Sequence, residues 1–179
     1  MRLFLLYNIA MRKFFDFLIT ILESVVIAII VVLVLFKFVI YPVEVEGSSM
    51  YPTLTNGDRG FAFICTKLIG INRFDVVVIK SDKSDNKLVK RVIGLPGEFV
   101  EYIDNELYIN GKLTEEDFLE DGVVTNDFSY SLGEDEYLCL GDNREVSRDS
   151  RYYGAFNSDE IVTTHIYIYR SATAEGLRQ

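Results

Sequence analysis

Histidine is nearly missing from this chain: His165 is the only one in 179 residues. Any serine chemistry must therefore use that residue or do without imidazole. Cysteine is almost as scarce. Cys65 and Cys139 stand alone, with no metal or redox spacing, and pair only if the fold brings them together. No other spacing implies a metal or an organic cofactor. Cations are also in deficit. Residues 1–40 hold Arg2, Arg12, Lys13 and Lys37 against Asp16 and Glu23, which leaves the rest of the chain 14 cations against 25 anions, a net charge of −11. Such a surface repels polyanions and argues against nucleic-acid binding. Helical periodicity is missing after residue 42, as are internal repeats and any second long apolar run.

One long apolar run is present. From Phe17 to Ile40 only Glu23, Lys37 and a few small polar residues interrupt it, and Val25 to Phe36 has no polar side chain. About 20 residues suffice to cross a bilayer core as a helix. Lys37, near the end, is placed to snorkel to the headgroups. The run passes into Tyr41-Pro42-Val43-Glu44-Val45-Glu46 with no small-x-small site, so it reads as an uncleaved anchor. Cations before it and Glu44 and Glu46 after it favour a cytoplasmic N-terminus. The expected division is a cytoplasmic segment 1–16, an anchor helix 17–40 and an extracytoplasmic β domain 41–179. Met1 and Met11 both suit a translation start.

Past the anchor the pattern changes to short alternating strands, expected over 73–80, 99–103, 106–109, 136–140 and 163–169. Asn110-Gly111 suits a tight hairpin turn, because both residues tolerate positive φ. Residues 82–86 and 114–135 are polar and are expected to be surface excursions.

Three blocks carry the chemistry. In Gly47-Ser48-Ser49-Met50-Tyr51-Pro52-Thr53, Ser49 is a candidate nucleophile on a loop that leaves its N–H free for an oxyanion. In Leu88-Val89-Lys90-Arg91-Val92-Ile93, Lys90 is the candidate base. An unperturbed lysine is neutral in only about one molecule in 2,000 at pH 7, but apolar surroundings lower its pKa. In an alternating strand Leu88, Lys90 and Val92 share one face, while Arg91 points the other way, available for an ion pair. The third block, Gly141-Asp142-Asn143-Arg144-Glu145-Val146-Ser147-Arg148-Asp149-Ser150-Arg151, offers Ser147 as a hydroxyl partner for the amine and Asp149 as a partner of Arg91 or Arg151. A carboxylate touching the amine would raise its pKa, so the aspartates are assigned to the scaffold. Taken singly, each block also fits an ordinary turn, an edge strand or a solvated loop. His165, in an alternating strand without a companion motif, reads as a plain strand residue.

In their order, and behind an N-terminal anchor, these blocks resemble those of type I signal peptidases, over about residues 20–170. The resemblance implies a mainly β fold of coiled antiparallel sheets and cleavage of signal peptides from exported preproteins beside the secretion translocon, at the cell membrane. It implies Ser49 as nucleophile, Lys90 as general base, Ser147 as the residue orienting the lysine, and Asp142, Arg91, Asp149 and Arg151 as supporting charges. Met50, Val43, Val45, Leu54, Leu88 and Val89 fall where the family builds shallow pockets for small side chains before the cut. Gly47 stands where Gram-negative members carry a serine that aids the oxyanion hole. Together with the short catalytic region, this resembles the Gram-positive type. Three alternatives stand beside this reading: a self-cleaving serine–lysine protein of the repressor type, a catalytically silent tethered binding module, and a peptidase dedicated to a few pilin-like substrates.

Overall fold

The computed structural model describes residues 2–63, 70–84, 86–164 and 166–169. Cys65 and His165 lie outside them, so neither the cysteine pairing nor the histidine's setting is addressed. The chain divides into two units, Met1–Val39 and Ile40–Gln179.

The first unit is one helix, α1 (Arg2–Val39). Its 24-residue stretch Met11–Val34 is long and apolar enough to cross a membrane, and none of it is buried within the protein. At 1.5 Å per residue it extends about 36 Å, more than the roughly 30 Å of hydrocarbon it would have to cross.

The second unit is built from three antiparallel sheets. One orders β1 (Ile40–Glu44), β2 (Arg59–Phe63) and β12 (Ile166–Tyr169). A five-stranded sheet orders β10 (Phe156–Asn157), β9 (Glu136–Leu140), β4 (Leu88–Gly94), β3 (Val76–Ile79) and β11 (Ile161–Thr163). A four-stranded sheet orders β7 (Lys112–Thr114), β6 (Glu106–Ile109), β5 (Phe99–Ile103) and β8 (Phe128–Ser131). A short helix, α2 (Ser150–Tyr153), follows β9. The mainly β class expected from the sequence is the one observed.

Local chemistry explains the best-defined hairpins. Asp104 and Asn105 link β5 to β6 with φ of 52° and 69°, and Asn110 and Gly111 link β6 to β7 with φ of 51° and 76°. Both are two-residue turns with positive φ at each centre, the geometry that matches strand twist.

β4 carries the candidate base Lys90 and its neighbour Arg91. It lies between β3 and β9, and both of its faces are covered. Val92 packs with Val77, Ile79, Cys139, Phe156 and Ile161, whereas Ile93 packs with Val100, Tyr102, Leu107, Leu138 and Leu140. Side chains alternate along a strand, so Lys90 shares the Val92 face and Arg91 the Ile93 face. Both charged residues are consequently buried, at 2% and 8% exposure.

Two expectations need correction. The run 163–169 is not one strand: β11 ends at Thr163 against β3, and β12 starts at Ile166 against β2. The chain changes sheets there while its alternation continues, so no compositional mark signals the break. Residues 114–135 are not a plain surface excursion either. Phe128–Ser131 forms β8 on the edge of β5, Thr125 is buried, and Phe118 packs on Phe74 at 5.1 Å between ring centroids.

Candidate active site

Ser49 lies in the connection between β1 and β2, and short polar contacts hold that loop in shape. Gly47 N–H donates to Asn56 Oδ1 at 2.8 Å, Tyr51 N–H to the Ser48 carbonyl at 3.1 Å, and Leu54 N–H to the Met50 carbonyl at 2.8 Å. Gly47 has a φ of 88°, a left-handed conformation costly for residues with a Cβ. Below the loop Met50, Val45 and Leu54 form a small apolar cluster and pin it to the sheet. Among the described residues the Ser49 N–H donates no backbone hydrogen bond.

β4 delivers Lys90 to this loop from below. Lys90 Nζ lies 2.6 Å from Ser49 Oγ, the only hydrogen bond recorded for the amine among the described residues. Burial lowers the lysine pKa from 10.5 to about 8, against the opposing charges of Asp149 and Asp142. Desolvation dominates because neither carboxylate touches the amine.

The charges of the third block are tied up elsewhere. Arg91, on the opposite face of β4, grips Asp142 with two bonds, Nε to Oδ1 at 2.9 Å and a terminal nitrogen to Oδ2 at 2.6 Å. Thr53 Oγ1 donates to the same Asp142 carboxylate at 2.6 Å, which joins the serine loop, the lysine strand and the third block. Phe118 lies under the Arg91 guanidinium at 4.0 Å. Asp149 accepts from Gly141 N–H at 3.0 Å, caps α2 through Arg151 N–H at 3.1 Å, and pairs with the Arg151 guanidinium at 2.8 Å. Burial works against its charge, but the Arg151 hydrogen bonds, the Gly141 N–H and the Arg151 charge together hold its pKa below the ordinary carboxylate value. Of the two partners expected for Asp149, the structure selects Arg151.

Ser147 departs from expectation. Its hydroxyl is buried without a hydrogen-bond partner and does not bond Lys90. It adds to the hold on Asp149 without meeting hydrogen-bond geometry. Gly141 passes close by: a Cβ there would overlap both the Ser147 hydroxyl and the Ser49 carbonyl oxygen. The loop thus closes on a residue with no side chain, and Asn143 N–H also reaches the Ser49 carbonyl, at 3.0 Å.

A groove of about 300 Å³ runs between residues 42–46 and 86–90 and ends at Ser49 and Lys90. Val43, Val45, Met50, Leu88 and Val89 line it, together with Glu44, Glu46, Asn86 and Lys87. Leu54 does not line it; it is buried beneath Met50. Among the described residues no group of three or more His, Cys, Asp or Glu side chains is placed to hold a metal ion.

Sequence reasoning missed several members of this assembly. Thr53 and Gly141 are too common in turns to signal themselves. The Arg144 guanidinium bonds Tyr102 Oη at 3.0 Å, Thr125 Oγ1 at 2.7 Å and Glu116 Oε1 at 2.6 Å, and the last two lie in the stretch expected to be a surface excursion.

A family profile described as "Signal peptidase, peptidase S26" matches residues 18–170. This chain belongs to the signal peptidase family. Signal peptidase I S of Bacillus subtilis (strain 168) is 39% identical over 160 residues, covering 82% of this chain and 86% of its own. Signal peptidase IB of Staphylococcus aureus (strain Mu50 / ATCC 700699) is 37% identical over 158 residues, covering 78% and 82%. A crystal structure of a signal peptidase I from Enterococcus faecalis V583 shares 35% identity, covers 52% of this chain and 95% of its own, and superposes with a TM-score of 0.48. The family assignment rests on the sequence matches. As a member of the signal peptidase family, the chain is a serine endopeptidase.

Proposed function

We propose that this signal peptidase removes N-terminal signal peptides from exported preproteins by a Ser49–Lys90 dyad, cutting after small-x-small sequences. The observation that carries the reading is a buried amine, with its pKa brought to about 8, at 2.6 Å from a serine hydroxyl. Neutral Lys90 takes the Ser49 proton as Oγ attacks the scissile carbonyl, and the Ser49 N–H faces the developing oxyanion. The lysine ammonium then protonates the leaving amine. The amine, neutral again, activates the water that releases the acyl group. Arg91, Asp142, Asp149 and Arg151 hold the three blocks in place and never meet the substrate. Ser147 belongs to this scaffold through Asp149.

Specificity follows from the groove. Val43, Val45, Met50, Leu88 and Val89 give the groove an apolar side that suits small aliphatic side chains before the cut. In this reading residues 1–16 face the cytoplasm, 17–40 anchor the protein in the cell membrane, and 41–179 work outside it beside the translocon. The run of cations before the span supports that orientation.

The test is cleavage of a model preprotein by the detergent-solubilised full chain beside Ser49→Ala and Lys90→Ala. Cutting after a small-x-small site by wild type alone, with both variants folded, is the expected result. Activity in either variant, or cutting elsewhere, overturns the dyad or the specificity respectively.

A further inference from the structure

The cleft does not stop at the dyad. A second cavity of about 640 Å³ shares Ser49, Leu88 and Lys90 with the groove and continues to Val146, Arg148, Tyr152 and Tyr153. If the groove beside Val43, Val45 and Met50 takes the residues before the cut, as proposed above, this larger half receives those after it. Glu46, Asn86 and Lys87 line both halves, and the larger one adds Arg148 with the Tyr152 and Tyr153 rings.

Arg148 is distinctive there. Every other arginine of the third block is committed: Arg144 to Glu116, and Arg151 to Asp149. Arg148 is exposed and forms no ion pair or hydrogen bond with a described residue; its guanidinium carbon lies 5.7 Å from the centre of the Tyr152 ring. Stacking on an aromatic face restrains a guanidinium while leaving its donors open. Glu46 and Asp82 also line the cavity, as do Lys83 and Lys87. Lys83 is occupied by the Ala155 carbonyl at 2.7 Å and by Glu160 at 3.8 Å. The domain's overall negative charge does not decide the matter, because exposed charges are screened beyond about 8 Å at physiological salt. Contact partners decide it, and a restrained cation with open donors favours a carboxylate.

We propose that Arg148, braced on Tyr152, is a specificity-determining residue that reads an acidic side chain within the first four residues after the scissile bond. In an extended chain those residues span about 13 Å. The inference rests on the dyad reading and adds to it a preference within the mature part of the substrate.

The experiment uses the full chain in detergent and a panel of preproteins identical except for one Glu or one Lys at each of the four positions after the cut. An open-cleft ion pair corresponds to a change of up to about fivefold. Wild type is expected to favour Glu over Lys by about three- to fivefold in kcat/KM at one position or more. Arg148→Glu is expected to invert that ratio, and higher salt to shrink it. A role in folding alone would lower both substrates together and leave the ratio unmoved. Should Arg148→Glu cut nothing, Arg148→Gln serves instead, with an expected ratio near one. A Glu-to-Lys ratio that is the same in wild type and variant at all four positions overturns the inference while leaving the dyad intact. A wild type that cuts none of the panel overturns both.

Discussion

Replacing Lys90 with methionine should make the protein more stable and inactive. The lysine is 2% exposed, and its pKa falls from 10.5 to about 8 on folding, chiefly through burial. Below pH 8 the folded state therefore carries an ammonium ion at a cost of about 3 kcal/mol relative to the unfolded chain. Methionine fills similar space without charge but gives up the bond to Ser49, which contributes about 1 kcal/mol. The net expectation for Lys90→Met is a gain of about 2 kcal/mol at pH 7. The sign reverses with pH. Between pH 8 and 10.5 the unfolded lysine holds more protons than the folded one, so wild-type stability rises through that window while the methionine variant gains nothing from this site. Reversible chemical unfolding of both full-length proteins in detergent at pH 7 and pH 10.5 measures the two gaps. A variant no more stable at pH 7, or a gap of equal size at both pH values, would refute the claim that the amine is held near neutrality by burial.

The same pKa predicts that wild-type kcat/KM climbs about fivefold to tenfold between pH 7 and pH 9 as the amine deprotonates, and that Lys90→Arg is inactive because a guanidinium keeps its proton; a flat profile in a peptide-cleavage assay would count against the lysine base. Gly141→Ala should lower kcat by about tenfold or more and stability by about 1–3 kcal/mol, since its methyl group overlaps the Ser49 carbonyl and the Ser147 hydroxyl. Turnover and a melting curve of that variant check both effects. Asp142→Ala should cost about 3–5 kcal/mol, because it strands the buried Arg91 without its carboxylate. A melting temperature within a few degrees of wild type would show that the pair is dispensable.

Much of this was legible before any coordinates. The apolar run, the alternation around Lys90 and the Asn110-Gly111 turn are local patterns, and local patterns are what periodicity and turn chemistry report. Opposite facing of Lys90 and Arg91 follows from strand geometry alone. The candidate nucleophile and base are legible from three blocks in order, because chain order survives without any knowledge of distance.

What stayed hidden was everything that depends on which segments meet. The pairing of Arg91 with Asp142 and of Asp149 with Arg151 was open in the sequence, since every charge in the third block had several plausible partners and only the closed loop selects among them. β8 was lost in a polar stretch because its burial comes from β5, thirty residues away in the chain. The break between β11 and β12 left no compositional trace. Burial of Lys90 likewise could only be guessed: its apolar neighbours in sequence suggest it, but cover by β3 and β9 on either side and by packed cores on both faces produces it. The residues of the proposed dyad were thus written in the chain, whereas the desolvation that brings an ordinary lysine to about 8 belongs to the tertiary structure, because removing an amine from water takes more than one strand.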